Sequence, residues 1–154
     1  IDDFAHHPTA VKETLEALKN SYADQRLIAV FEPRTNTSRR TIFQQQYASA
    51  FDFADHVMIR EPVPLANVSS EELFSAEKLM MDLKERNVSA QSYSDTDNIL
   101  EALKDKLQEN DVVVILSNGS FDNIHNRLLE QLKRLHPRHE TFTCSNSFKT
   151  ARRK

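Results

Sequence analysis

Glycine is almost absent from this sequence, since Gly119 is the only one among 154 residues. Loops that hold the phosphates of a nucleotide need several glycines, because their backbone N–H groups must approach the ligand closely. Neither a Walker A loop nor a GxGxxG dinucleotide motif is therefore present, and the GxSxG nucleophile elbow of a hydrolase does not occur either. If the protein uses ATP, another domain must hold the ATP phosphates.

The sequence also has only one cysteine, no long apolar run and no excess of basic charge. The single cysteine, Cys144, excludes a disulfide within the chain and indicates a reducing compartment, so we expect a cytoplasmic protein. No apolar run approaches the roughly 20 residues that span a bilayer. Twenty basic residues against 23 acidic ones give a net charge of -3 and no support for a nucleic-acid-binding face. We therefore expect neither a membrane nor a nucleic acid as a partner.

Short β-rich runs alternate with amphipathic helical stretches along the chain. Strands are predicted at residues 1–3, 27–31, 56–60, 89–93 and 112–116. Helices are predicted from Pro8 to about Asn20, from Arg39 to Ala50, from about Phe74 to Arg86, after a Ser94–Asp97 capping box, and from Phe121 to Leu135 with Leu135 on the inner face. This alternation predicts an α/β fold with a mainly parallel sheet. Ligands of such sheets bind beyond the carboxyl ends of the strands.

Three polar loops follow predicted strands, and the first is DDFAHHP. Its ligand-type residues are Asp2, Asp3, His6 and His7. A metal site is one interpretation, although adjacent histidines rarely point at one ion. Capping of the following helix is a second. We slightly favour a third, in which these side chains contact a nucleotide or a sugar.

The second loop is EPRTNTSRR, which carries positive charge into a helix start. Its candidate substrate-binding residues are Arg34, Asn36, Thr37 and Arg39. Guanidinium groups and a helix N-terminus both favour anions, so the loop suits a phosphate or a carboxylate. A solvated basic loop is the alternative. Glu32, beside these residues, could orient an arginine.

The third loop follows VVVIL, the strongest predicted strand. Its residues Ser117, Asn118 and Gly119 could hold an anion or a carboxylate, with Gly119 allowing a sharp turn. The alternative is that Gly119 is only a turn residue.

The segments DDFAHHPTAV, RLIAVFEPRTNTSRR and SNGSFDNIHNRLLEQL together resemble the C-terminal domain of the Mur ligases. The first is similar to members that accept UDP-N-acetylmuramate, and the other two resemble the murein-peptide branch. The muramate–alanine branch has a related strand end but a different basic loop. The resemblance covers residues 1–135 and implies a Rossmann-like three-layer sandwich with a mostly parallel sheet. Residues 136–154 find no match, and we expect them to form a loose, polar and basic tail.

The resemblance implies an ATP-dependent ligase that joins UDP-N-acetylmuramate to the tripeptide L-alanyl-γ-D-glutamyl-meso-diaminopimelate. The family's N-terminal domain binds the UDP-sugar, and its central domain holds the ATP phosphates and Mg²⁺. The C-terminal domain closes over both and brings in the amine. The chain begins without methionine, so we expect it to be part of a longer protein and to be inactive alone.

Individual positions also follow from the resemblance. Asp3 matches an aspartate that contacts the ATP ribose, with Asp2 beside it as a substrate contact, and His6 and His7 match positions near the reacting carboxylate and the amine. The second loop would face a phosphate or a peptide carboxylate. The third would lie near the distal amino acid, but it lacks the charged residues of the diaminopimelate-adding relative, so amide hydrogen bonds from Asn118 would have to replace them.

A non-catalytic α/β module that binds an anion or a nucleotide is the main rival. A receiver-like signalling domain is a narrower form of it. Such a domain needs an aspartate at the end of a middle strand and a lysine after a late strand. Here Glu32 follows one strand and Ser117 follows the other, so the receiver pattern fails.

Overall fold

The structure is a computed structural model of the 154-residue chain. It describes residues 7–33, 43–62, 74–117 and 119–135, together with the backbone of residues 2 and 3. The side chains of Asp2 and Asp3 and the whole of His6, Arg34, Asn36, Thr37, Arg39, Asn118 and the predicted 136–154 tail lie outside the described residues.

Five parallel strands form one sheet in the order β1-β5-β2-β3-β4. The strands are β1 (Asp2–Asp3), β2 (Leu27–Phe31), β3 (His56–Arg60), β4 (Ser89–Tyr93) and β5 (Val112–Leu116). The helices are α1 (Pro8–Ser21), α2 (Gln44–Ala50), α3 (Ala76–Glu85), α4 (Thr96–Lys106) and α5 (Ile124–Leu135). The predicted α/β fold with a parallel sheet is therefore confirmed.

Helices cover both faces of the sheet, which makes a three-layer sandwich. Along β2, Leu27, Ala29 and Phe31 point into a core shared with α1, α2 and α3, whereas Ile28 and Val30 point into a core shared with α4 and α5. A strand covered on both faces reads as a continuous apolar run, and all five residues of LIAVF are buried. Each large apolar side chain buried in this way stabilises the fold by about 1.5–3 kcal/mol.

The start of α4 differs from the prediction by one residue. The N-cap is Asp95, whose Oδ1 accepts from the Asn98 backbone N–H at 2.8 Å, and the Ser94–Asp97 capping box is wrong. Ser94 instead donates its hydroxyl to Asp95 Oδ2 at 3.0 Å. Both residues are good caps, and the sequence pattern alone could not decide between them.

The start of α5 is a larger correction. Residues Phe121–Asn123 form a short 3-10 segment with positive φ angles of 42°, 48° and 57°, and the α-helix begins only at Ile124. Phe121 lies three residues before Ile124, as it would on a helical face, and is buried all the same. Periodicity could therefore not separate this turn from a helix. At the other end of α5, the prediction that Leu135 lies on the inner face is wrong, because this side chain is 44% exposed.

The sheet has a topological switch point between β2 and β5. These neighbouring strands pair in register from Leu27 with Val112 to Phe31 with Leu116. The helix that follows β2 packs on one face, and the helix that follows β5 packs on the other. Chain segments that leave in opposite directions open a crevice beyond the carboxyl ends of the two strands, where α/β proteins bind ligands.

Candidate functional site

Three adjacent strand ends meet at one edge of the sheet. Asp3 pairs with Leu116, and Leu116 pairs with Phe31 on its other side. Because neighbouring strands lie about 4.8 Å apart, the ends of β1 and β2 are only about 10 Å from each other. The three strand ends that lead into the predicted polar loops therefore lie side by side.

His7 caps helix α1, so the capping interpretation is confirmed for this residue. Its Nδ1 accepts from the Thr9 backbone N–H at 3.3 Å, and its ring meets Phe43 edge-on with centroids 5.0 Å apart. A neutral ring that accepts at Nδ1 carries its proton on Nε2. In this tautomer the exposed His7 offers a ligand a hydrogen-bond donor and not a proton acceptor.

Glu32 lies in the crevice between β2 and β5 and is only 3% exposed. Its backbone N–H donates to the Leu116 carbonyl at 3.1 Å, which extends the ladder beyond Phe31. Its Oε2 accepts from the Ser117 hydroxyl at 2.7 Å. The ends of β2 and β5 are thus joined by side chains as well as by backbone.

The Ser117 side chain forms hydrogen bonds within the protein at the start of the third loop. Besides donating to Glu32, its hydroxyl oxygen accepts from the Gly119 backbone N–H at 3.2 Å, and the residue is 3% exposed. The expected direct contact between the Ser117 side chain and a ligand therefore finds no support in this geometry. Gly119 does not have a positive φ. The left-handed backbone in this region is found at Phe121–Asn123 instead.

Arg60, the last residue of β3, completes the cluster and was missed by the sequence analysis. Its Nη1 donates to Glu32 Oε1 at 2.7 Å, and its Nη2 lies 3.2 Å from Asp122 Oδ2. Asp122 Oδ2 also accepts from the Thr96 hydroxyl at 2.7 Å. One sequence feature could have identified Arg60. It is an arginine at the end of the predicted strand that follows the one leading to Glu32, and in a parallel sheet these two strand ends lie at the same edge. We call these five residues, Glu32, Arg60, Thr96, Ser117 and Asp122, the edge network.

A family profile described as Mur ligase, glutamate ligase domain matches residues 1–119 of the chain. The chain belongs to this Mur ligase family. The match contains the first two predicted loops and reaches Gly119, so it spans all three strand ends of the candidate site.

Individual Mur ligases resemble the chain at similar levels. A UDP-N-acetylmuramate–L-alanine ligase of Sulfurihydrogenibium sp. is 35% identical over 132 residues, which are 86% of this chain and 29% of that protein. The UDP-N-acetylmuramate–L-alanyl-gamma-D-glutamyl-meso-2,6-diaminoheptandioate ligase of Escherichia coli K12 is 34% identical over 132 residues, 85% of this chain and 27% of that protein. The chain spans less than a third of the length of these relatives.

A solved murein peptide ligase from Psychrobacter arcticus superposes with a TM-score of 0.70 at 37% identity, covering 84% of this chain and 26% of that one. This similarity, with that of the curated relatives, agrees with the family assignment. Because relatives of both substrate types match, the family membership leaves the amine substrate open.

The electrostatics of this edge of the Mur ligase domain reflect its burial. Burial raises the pKa of the Glu61 carboxyl, and the negative charge of Glu77 adds to that effect. Burial also raises the pKa of the Tyr93 hydroxyl. Within the described ranges, the Tyr93 hydroxyl and Arg60 Nε are buried without a hydrogen-bond partner. Within the edge network, Glu32, Thr96 and Ser117 are buried and the Arg60 side chain is 16% exposed, whereas the Asp122 side chain is 49% exposed. The Glu32–Arg60 pair therefore interacts more strongly than it would at an open surface.

Potential metal ligands and cavities also bear on what the described residues could bind. Among the described residues, no three His, Cys, Asp or Glu side chains come together as a metal site. A groove of about 530 Å³ lies on the outer side of α4 and α5. Charged side chains of both signs, such as Asp97 and Arg127, line it, and none of its lining residues belongs to the three strand ends or to the edge network. In the part of the chain that the structure describes, no helix is long and apolar enough to cross a membrane.

Proposed function

We propose that this chain is the C-terminal domain of a murein-peptide ligase. The whole enzyme joins UDP-N-acetylmuramate to L-alanyl-γ-D-glutamyl-meso-diaminopimelate in the cytoplasm, in the recycling of peptidoglycan. The observation that carries the proposal is the convergence of the β1, β5 and β2 ends, because it brings the three family segments to one edge. The 37% identity to a solved murein peptide ligase supports the same substrate type.

The proposed reaction explains why a separate closing domain is needed. ATP phosphorylates the muramate carboxylate, ADP leaves, and the amine then attacks the acyl phosphate and releases inorganic phosphate. Water would hydrolyse the acyl phosphate, so closure over the reacting groups protects it and sets the amine against the acyl carbon. Other domains would hold the ATP phosphates and Mg²⁺, in keeping with the single glycine of this chain.

The roles proposed for individual residues are those that the resemblance to the Mur ligases implies. Asp3, at the end of β1, would contact the ATP ribose, and Asp2, His6 and His7 would lie beside the reacting groups. Among these, His7 would donate from Nε2 while it caps α1. In the second and third loops, Arg34, Asn36, Thr37 and Arg39 would bind peptide carboxylates, and Asn118 and Gly119 would contact the distal amino acid on a loop shaped by Ser117.

A UDP-N-acetylmuramate–L-alanine ligase is the second candidate function. A relative with that name is 35% identical over 86% of the chain. L-Alanine presents one carboxylate and no distal amino acid, whereas the tripeptide presents several carboxylates along an extended molecule. Three arginines in the loop after β2, Arg34, Arg39 and Arg40, fit the larger and more acidic substrate better.

The two candidates are separated by assaying the full-length protein that carries this domain. ATP, Mg²⁺ and UDP-N-acetylmuramate are supplied with either the tripeptide or L-alanine, and the amide product is measured by mass spectrometry together with phosphate release. We expect kcat/KM for the tripeptide to exceed that for L-alanine by at least about 100-fold, because a site built for polar contacts rejects a substrate that cannot make them. Preference for L-alanine would select the second candidate, and turnover of neither amine would refute both. Reactions without UDP-N-acetylmuramate serve as the control.

A further inference from the structure

We propose that Arg60 is a positioning residue that sets the geometry of the edge where the amine substrate binds. This inference rests on the proposed function. Arg60 belongs to β3, outside the three strands that lead into the predicted substrate loops, and it would act through the residues that it holds. No family segment quoted above contains it.

Arg60 holds two chain segments that flank the crevice. Its Nη1 donates to Glu32, the first residue of the second loop, and its Nη2 pairs with Asp122, three residues after Gly119 in the third loop. Glu32 in turn binds Ser117. One guanidinium is therefore bonded to the first residue of the second loop and, directly at Asp122 and through Glu32 at Ser117, to both sides of the third loop.

The turn at Asp122 needs such an anchor. Phe121, Asp122 and Asn123 all have positive φ, and consecutive non-glycine residues in this region are sterically disfavoured. Conformations of this kind persist only where the surroundings determine them. Here the Phe121 ring is 1% exposed in the core, and Arg60 and Thr96 hold the Asp122 carboxylate. Without Arg60, the turn loses one of its three attachments.

The geometry favours positioning over direct substrate contact. The Arg60 side chain is 16% exposed, and two of its nitrogen atoms already bind carboxylates. A lysine carries the same charge but cannot reach two acceptors with a planar fork, so it should keep only part of the effect. This difference makes the conservative variant informative.

Arg26 provides a matched control at the opposite edge of the sheet. It precedes β2, and its Nε and Nη2 bind the two carboxylate oxygens of Asp111 at 2.9 Å and 2.5 Å. Like Arg60, it joins β2 to the segment that flanks β5. Its substitution removes a comparable ion pair without touching the proposed substrate edge.

The test compares Arg60→Lys and Arg60→Met with Arg26→Lys and Arg26→Met in the full-length protein. Each substrate is varied in turn, with whichever amine the wild-type protein uses. We expect Arg60→Met to raise KM for the amine by about 10- to 100-fold, because a small misplacement of binding groups has effects of that size. Arg60→Lys should show an intermediate rise, while KM for ATP and UDP-N-acetylmuramate stays unchanged. The Arg26 variants should leave all three KM values unchanged.

Amide hydrogen exchange without substrates provides a readout that does not depend on the reaction. In Arg60→Met, exchange should become faster at Phe31, at Glu32 and in residues 117–123, and it should stay as in the wild type at the same positions of Arg26→Met. Exchange that does not change there, or equal rises in KM for all three substrates, would overturn the proposal. If Arg60→Met does not fold, Arg60→Lys and Glu32→Gln are compared with the Arg26 variants instead. If the wild-type protein turns over neither amine, the proposed function is refuted. The exchange measurement would then still decide whether Arg60 positions this edge.

Discussion

His56 illustrates what a single residue contributes at the amino edge of the sheet, away from the candidate site. It begins β3, and its Nδ1 lies 2.8 Å from the Ser89 hydroxyl at the start of β4. Burial lowers the pKa of the imidazole, and the positive charges of Lys106 and Arg26 lower it further. The folded protein therefore keeps this ring neutral at pH values where an unfolded chain would protonate it.

This pKa shift predicts a pH-dependent stability. An unfolded histidine has a pKa of about 6.5, so stability from the neutral ring is present above that pH and is lost as the pH falls below it. We expect His56→Gln to flatten the dependence of the free energy of unfolding between pH 7.5 and 5.5, by less than about 1 kcal/mol. Urea titrations at several pH values measure it. Lys106→Gln should flatten the curve in part, and His125→Gln is the control. Parallel curves for the wild type and His56→Gln would contradict the prediction.

Helix ends show how asparagine replaces glycine at the scale of an element. After α3, Asn87 has a φ of 60°, its N–H donates to the Lys84 carbonyl at 3.0 Å, and the Val88 N–H donates to the Leu83 carbonyl at 2.9 Å. This pattern is a Schellman motif, in which glycine is the usual residue at the left-handed position. Val88 and Leu83 are both buried, which provides the accompanying apolar contact.

A glycine at this helix end should therefore stabilise the protein. We expect Asn87→Gly to raise the free energy of unfolding by up to about 1 kcal/mol, and Asn87→Ala to lower it by about 1 kcal/mol, because alanine is disfavoured at positive φ. Glu85→Gly, two residues earlier on the same helix, is the control and should destabilise by about 1 kcal/mol. Thermal or urea unfolding of the three variants gives the order. A loss of stability in Asn87→Gly would refute the interpretation of this end.

At the scale of the whole molecule, this domain would form one side of the proposed active site. The chain spans 29% and 27% of two of its ligase relatives, and its described residues contain no three-residue metal cluster. The proposed reaction needs ATP phosphates, a UDP-sugar and an amine in one closed space. A single edge of one sheet offers binding groups, but it cannot exclude water from all sides of the acyl phosphate.

We therefore predict that the isolated domain forms no amide product. It would be mixed with ATP, Mg²⁺, UDP-N-acetylmuramate and the tripeptide, and mass spectrometry would detect any product. The full-length protein under the same conditions is the positive control, and circular dichroism would show that the isolated domain is folded. Product formation by the domain alone would show that the division of labour between domains is wrong.

Sequence patterns predicted the strands closely and the polar edge only in part. The bounds predicted for β2, β3, β4 and β5 are confirmed. β2, β3 and β5 are short, mainly apolar runs between turn signals, whereas β4 buries Ala90 and Tyr93 between more exposed polar residues. Arg60 was missed because its role depends on strand order. It ends a strand as an ordinary polar residue does, and only the pairing of β2 with β3 brings it to Glu32. The ligand roles of Asp2, Asp3, His6, Arg34, Asn36, Thr37, Arg39 and Asn118 stay predictions.

The sequence alone determined the fold class, the family and the absence of a phosphate-binding loop. Each follows from features that are local in the chain, namely hydrophobic periodicity, short motifs and glycine content. Only the tertiary structure decided which polar side chains meet. Glu32 and Ser117 are 85 residues apart in the chain, yet their side chains are 2.7 Å apart because β5 crosses back to lie beside β2. Contacts of this kind depend on strand order and register, which no local pattern records.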